Sequence, residues 1–207
     1  MTTIWESPAE TLGEHIERLA AIEAEADAVQ IWQPMLIPGL LQSYSYAAAA
    51  IHALGPALPL DVVGERADRR RTRIDNVGQH GARRIAVVVD EAALHRPVGG
   101  YAALVGQLEH LLALEALQPS LTVRVLPQGS EAHPGLVGAF TLYQAGGQRA
   151  VFTEALADTT ISTRPEDVAA YSGAWDRLLR LALPERESVE FIDSTRETLC
   201  RRLKTAR

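Results

Sequence analysis

Residues 83–91, RRIAVVVDE, set five apolar residues in a row from Ile85 to Val89, most of them β-branched, between charged flanks. A run without polar alternation reads as a strand covered on both faces, the pattern of parallel sheets rather than of open hairpins. A parallel strand needs a crossover, usually helical, to reach its neighbour. The flanking sequence supplies helices on both sides. Residues 61–77 are strongly charged, with Val62, Val63, Ala67 and Ile74 as a sparse apolar face. Residues 101–117 place Leu104, Leu108, Leu111, Leu112 and Leu114 at helical spacing.

The rest of the chain extends this pattern. Residues 9–28 show helical periodicity through Leu12, Ile16, Leu19, Ile22 and Ala26, opened by Ser7-Pro8. AVQIWQP (28–34) reads as a short strand. Pro34, Pro38 and Gly39 turn the chain, and a helix is expected from Leu40 to Ala53. SLTVRVLP (120–127) alternates as a half-buried strand does. AFTLYQA and RAVFTEAL read as a hairpin joined by GGQ, TTIST as a further candidate strand, and residues 165–183 and 187–204 as closing helices. The fold class that follows is α/β, with α+β as the alternative. It has a central mixed sheet of about five strands packed by helices, and helical segments at both ends. We divide the chain into an extension at 1–20, a main domain at 20–193 and a basic helix end at 194–207.

With 207 residues and 47 % apolar content, one domain with an ordinary core is expected. No apolar run reaches the roughly 20 residues that span a bilayer, and the polar, acidic start does not resemble a signal peptide. We therefore expect a cytoplasmic protein with no membrane partner. The single cysteine, Cys200, excludes an intramolecular disulfide and lacks a local activator. Net charge is −6, from 20 basic and 26 acidic residues. A nucleic-acid binder usually carries a basic field. The basic runs RADRRRTR (66–73) and RRLKTAR read as a solvated helix face and a helix C-terminus, so no direct DNA binding is expected.

The familiar catalytic motifs are absent: no G-x-S-x-G, no P-loop, no G-x-G-x-x-G, no H-E-x-x-H. The six histidines are scattered, so no metal site and no cofactor are expected. Three stretches stand out. In IWQPMLIPGLLQSYSYAAAAI (31–51), Tyr44 and Tyr46 lie two residues apart, about 200° around a helix, and cannot both face inward. One of them faces a cleft or solvent, and we assign Tyr46 to the pocket. In DEAALHRPVGG (90–100), Glu91, His95 and Arg96 follow the buried strand, where open α/β sheets bind ligands. They could hold a polar ligand or do acid–base work, or an Arg–Glu pair could simply pin the turn. In GSEAHPGLVGAF (129–140), His133 sits in a loop, and loops carry function disproportionately. We take Glu91 and His133 as catalytic candidates, and Tyr46, His95, Arg96 and Glu154 as binding candidates.

These blocks follow one another in a fixed order. EAEADAVQIWQPMLIPGLLQSYSYAAAAI leads to VVVDEAALHRPVGGYAALVGQLEHLLALE, then LTVRVLPQGSEAHPGLVGAFTLYQ, VFTEAL and WDRLLRLALPERESVEFI. From about residue 20 to about residue 193 the chain resembles the C-terminal domain of unknown function in actinobacterial Xre-type regulators. The Pro-Gly-Leu-Leu-Gln and Asp-Glu-x-x-Leu-x-Arg-Pro-Val-Gly-Gly blocks carry the resemblance. Those regulators place a helix-turn-helix before this domain. Only about 20 residues precede it here, which reads as a domain without that motif. The family's charged helix tends to carry an Arg-Gln pair, where this chain has Arg70-Arg71. The resemblance implies a module that binds a small-molecule ligand or a small partner protein, with a homodimer as a further expectation. The alternative is a stand-alone, metal-free biosynthetic enzyme, for example an acid–base-assisted cyclase, because fold alone does not fix function.

Overall fold

The computed structural model describes residues 19, 21–54, 58–76, 84–155 and 159–205. The expected start of the first helix, the 1–20 extension except residue 19, and most of the NVGQHG break lie outside them. The described elements run, in order, as α1 (residues 21–25), β1 (Ala28–Gln33), a 3-10 turn (Gly39–Leu41), α2 (Tyr44–Leu54), α3 (Leu60–Asn76), β2 (Arg84–Asp90), α4 (Glu91–His95), α5 (Tyr101–Leu117) and β3 (Leu121–Leu126). A second 3-10 turn (Pro134–Val137), β4 (Phe140–Ala145), β5 (Gln148–Glu154), β6 (Thr159–Ser162), α6 (Pro165–Leu181) and α7 (Glu185–Thr205) follow.

One six-stranded mixed sheet has the order β3-β2-β1-β4-β5-β6. β1, β2 and β3 are parallel, and β4, β5 and β6 are each antiparallel to their neighbours. The expected α/β class holds, and TTIST supplies the sixth strand. The β4–β5 hairpin turns at Gly146 and Gly147, with φ of 54° and 83°. Two successive positive φ values make the tight turn that matches strand twist, and glycine adopts them without steric cost.

Helices cover both faces. On one face α6 buries Trp175 and Leu178 against Trp32, Val88, Leu126, Phe140 and Val151. On the other lies the larger core, where Val87, Val89, Val123 and Val125 meet Leu104, Leu108 and Leu111 of α5 and Ile192 and Leu199 of α7. Tyr46 and Ile74 anchor α2 and α3 to that same core. The outer edge of β3 is covered by the α6–α7 link and the first turn of α7. Val125 N–H donates to Ser188 Oγ (3.0 Å), Leu183 N–H donates to Val125 O (2.8 Å), and the Arg124 guanidinium donates to the carbonyls of Ala182 and Leu183 (both 2.6 Å). An exposed edge would template another strand, and this edge has its partners within the chain.

The helix expected from Leu40 to Ala53 is divided. Gln42 is extended at φ −78°, ψ 134°, between the 3-10 turn and α2. Two buried glutamines hold the break. Gln42 Nε2 donates to Ile37 O (2.8 Å). Gln107 of α5 accepts from Ser43 N–H (2.7 Å) and donates to Leu41 O (2.8 Å). Side-chain amides thus replace the backbone ladder that a continuous helix would supply.

Candidate functional site

The loop from β3 to β4 must pass over the carboxyl ends of β2 and β1 to reach its place in the sheet. It is fixed at three points. Glu91 Oε2 accepts from Gln128 N–H (2.9 Å). Gly135 O accepts from Trp32 Nε1–H (2.9 Å). Arg177 of α6 donates to Ala132 O (2.9 Å). Asp90 caps α4 by accepting from Ala92 N–H (2.9 Å), so the strand turns at once into a helix that aims Glu91 at this loop.

Of the two tyrosines, Tyr44 is 44 % exposed and Tyr46 is sealed in the core at 0 %. Tyr46 Oη accepts from Ile37 N–H (3.3 Å), and burial raises its pKa. Arg96 is exposed and lies near Tyr46, with its Nη2 4.0 Å from Met35 Sδ. His95 Nε2 lies 3.6 Å from Glu91 Oε1. Glu91 therefore partners His95 and the Gln128 amide, and no Arg96–Glu91 pair pins the turn. His133 packs edge-on against Trp32, with centroids 5.5 Å apart at 87°. No hydrogen bond or ion pair joins Glu91 to His133. Glu91 is held by Gln128 and His95, whereas the buried Nδ1 of His133 has no hydrogen-bond partner among the described residues.

A second constellation lies under α3. Arg73 and Glu23 of α1 form a bidentate pair, with Nε–Oε2 at 3.0 Å and a closer Nη2–Oε1 contact. Glu23 Oε1 also accepts from Tyr143 Oη (3.2 Å). Burial alone would lower Arg73, but Glu23 more than offsets it and holds the guanidinium above its usual range. Burial and Glu23 drive Tyr143 well above the ordinary phenol value.

Arg70, one turn earlier on α3, differs. It is half-buried and donates from Nη1 to the neutral amide Oε1 of Gln42 (2.9 Å). Among the described residues no carboxylate lies within ion-pair distance of it. Burial lowers its pKa, Arg73 and Arg66 lower it further, and Glu154 opposes them. The side chain remains a cation, because arginine does not deprotonate in proteins. It is partly desolvated, without a paired counter-charge, and uses one of its several N–H donors. Glu154 closes β5 at the same sheet end as the β1–α2 connection. Glu154 is exposed, and no hydrogen bond or ion pair joins it to Arg70 or Arg73.

Arg70 and Gln42 escaped the sequence reading because an arginine-rich helix reads as solvated. A signal was present. Val63, Ala67 and Ile74 are buried on α3, and position 70 follows Ala67 by three and precedes Ile74 by four. A charged residue on an apolar stripe is the anomaly worth following.

Among the described residues no helix is long and apolar enough to cross a membrane, and no group of three or more His, Cys, Asp or Glu could hold a metal ion. A comparison with curated proteins returns no match. A family model described as "Domain of unknown function (DUF5753)" covers residues 16–194, and the chain belongs to that family.

Proposed function

We propose that the chain is a cytoplasmic small-molecule-binding module, the sensor part of an actinobacterial Xre-type regulator, which receives an anionic group of its ligand at Arg70. The carrying observation is the half-buried Arg70 guanidinium, held by Gln42 and lacking an ion-pair partner among the described residues. Desolvating a cation without a counter-charge is costly, and an arriving carboxylate or phosphate would repay that cost. The neighbouring Arg73 is already neutralised by Glu23, which keeps its charge from competing for the same anion.

Catalysis receives less support. Glu91 is engaged with Gln128 and His95, and His133 leans on Trp32. General acid–base work needs its groups within hydrogen-bond reach of one point, and no hydrogen bond joins this pair.

The test is native mass spectrometry of the protein recovered from its own host, wild type against Arg70→Gln. A non-protein mass retained by the wild type and absent from the variant supports the reading. A mass retained equally by both, or a retained partner protein without any small molecule, overturns it.

A further inference from the structure

Arg70 and Arg73 lie three positions apart on α3, a spacing that sets both side chains on one flank of the helix. Their heads reach the same short connection. Arg70 donates from Nη1 to Gln42 Oε1 (2.9 Å), and Arg73 Nη1 lies 3.7 Å from the position that a Cβ on Gly39 would take. Gly39 opens the 3-10 turn and Gln42 directly follows it, so the two contacts are one such turn apart. Apart from the turn itself, no other atom of the described residues comes within 4 Å of that Cβ position. Gly39 therefore leaves an open notch with a guanidinium at its edge. Arg73 uses Nε and Nη2 on Glu23, which leaves Nη1 without a partner among the described residues. Arg70 uses only Nη1, on a neutral amide. Arg66, one turn before Arg70, is also half-buried and has no hydrogen bond or ion pair among the described residues. The exposed Glu154 tempers the charge of Arg70 without pairing with it.

We infer that the ligand is a small soluble phosphate monoester, its phosphoryl group seated in the Gly39 notch between Arg70 and Arg73 Nη1. This rests on the anion-binding reading above and names the ligand class. Charge separates a phosphoryl group from a carboxylate. Glu23 neutralises Arg73, whereas Arg66 and Arg70 are two cations without a paired carboxylate. A carboxylate brings one negative charge and leaves one of these cations unmatched. A phosphate monoester brings about −1.5 to −2 at pH 7 and accepts through three oxygens. A phosphodiester carries one charge, so a nucleic-acid backbone is the poorer match. Arg73 Nη1 then adds a donor without adding net charge. Guanidinium forks match phosphate oxygens bidentately, and a residue without Cβ lets the anion approach the backbone closely. Gln42, fixed through Ile37 O, holds the Arg70 fork in place. Preorganising the fork lowers the entropy cost of binding.

The experiment is calorimetry of the full chain with phenyl phosphate, methyl phenyl phosphate and benzoate, which share a ring and differ in the anion. Phenyl phosphate should bind about ten-fold or more tightly than the diester or the carboxylate, the scale of a lost charge-assisted hydrogen bond. Its affinity should fall about ten-fold from about pH 7.5 to about pH 5, as the second phosphate proton with pKa near 6 is taken up. Benzoate keeps its charge over that range and should show no such fall. Gly39→Ala places a methyl group in the notch and meets nothing closer than 3.7 Å, so thermal unfolding should be unchanged while phenyl phosphate binds about ten-fold more weakly or less. Arg70→Lys should weaken binding while keeping the charge, and Arg70→Gln should abolish it. Benzoate or the diester binding as tightly as phenyl phosphate, dependent on Arg70, overturns the monoester and leaves the anion-binding reading standing. Phenyl phosphate binding indifferent to Gly39→Ala overturns the seat. Arg70-dependent sedimentation with mixed phosphatidate–phosphatidylcholine vesicles, without binding of phenyl phosphate, overturns the small soluble ligand. No binding of any of these anions, or binding indifferent to Arg70, overturns both readings.

Discussion

Replacing Gln107 by leucine tests whether the break between the 3-10 turn and α2 is held by one side chain. Gln107 is 0 % exposed, and leucine is close to it in size. The substitution removes two hydrogen bonds, at 2.7 Å and 2.8 Å, and strands the Ser43 N–H and the Leu41 carbonyl. A buried backbone group left without a partner costs about 1–3 kcal/mol. Two such groups give about 2–6 kcal/mol, and burying apolar leucine in place of an amide recovers part of it. We expect a net loss of about 2–4 kcal/mol. For a chain of this size each kcal/mol lowers Tm by about 2–4 °C, so Tm should fall by about 4–16 °C. Thermal unfolding followed by circular dichroism, with urea denaturation at 25 °C, measures it. Gln148→Leu, at an exposed hairpin position, is the control and should stay within about 0.5 kcal/mol. Gln107→Leu should also weaken ligand binding, because Gln42 follows directly on Leu41. A Gln107→Leu protein within about 0.5 kcal/mol of wild type would refute the reasoning, since water or a relaxed loop would then satisfy both groups.

Three further outcomes follow from the packing. Gly135→Ala would place a Cβ 2.6 Å from the Trp32 ring, which is 0 % exposed and unable to retreat. The β3–β4 loop must then lift and break the Trp32–Gly135 bond, at about 2–4 kcal/mol, read as a lower urea midpoint and a changed near-ultraviolet dichroism. Tyr46 and Tyr143 hold their protons more tightly folded than unfolded. Their contribution is therefore complete below the unfolded phenol value of about 10 and is lost as pH rises beyond it. Denaturant midpoints should fall above about pH 10, and less steeply in Tyr143→Phe. Ser188→Ala removes the acceptor for Val125 N–H and should cost about 1–3 kcal/mol, with faster hydrogen exchange at the Val125 amide.

Much of the fold could be read in advance, for physical reasons. Ile85 to Val89 have no polar alternation because both faces of β2 are covered, and Gly146-Gly147 marks a turn few other residues permit. The five residues of α4 are too few to establish a helical period, although Asp90 stands where a helix cap belongs. Leu40 to Ala53 read as one helix because the residue that interrupts it, Gln107, lies 64 positions away from Ser43. Helical geometry alone sets Tyr44 and Tyr46 on different sides, but Tyr46, expected at a pocket, lies in the core at 0 % exposure and Tyr44 faces out. Arg70 and Gln107 share one lesson. Each sits on the buried stripe of an otherwise amphipathic helix, and a local reading treats such a residue as noise where the packed structure gives it a partner.

The place of β4 has a consequence for synthesis. β1 pairs with β2 on one side and with β4 on the other, and Ala28 meets Gln144, which is 116 residues later (144 − 28). At about 5–20 residues per second a ribosome needs roughly 6–23 s to cover that distance. For that interval β1 carries an unpaired hydrogen-bonding edge beside Trp32, and the α6 residues that bury that ring are made later still. The nascent chain thus passes through a stage in which β1, β2 and β3 can form a half-sheet with one sticky margin. Whatever holds that margin until Phe140 to Ala145 emerge decides whether the chain matures or aggregates.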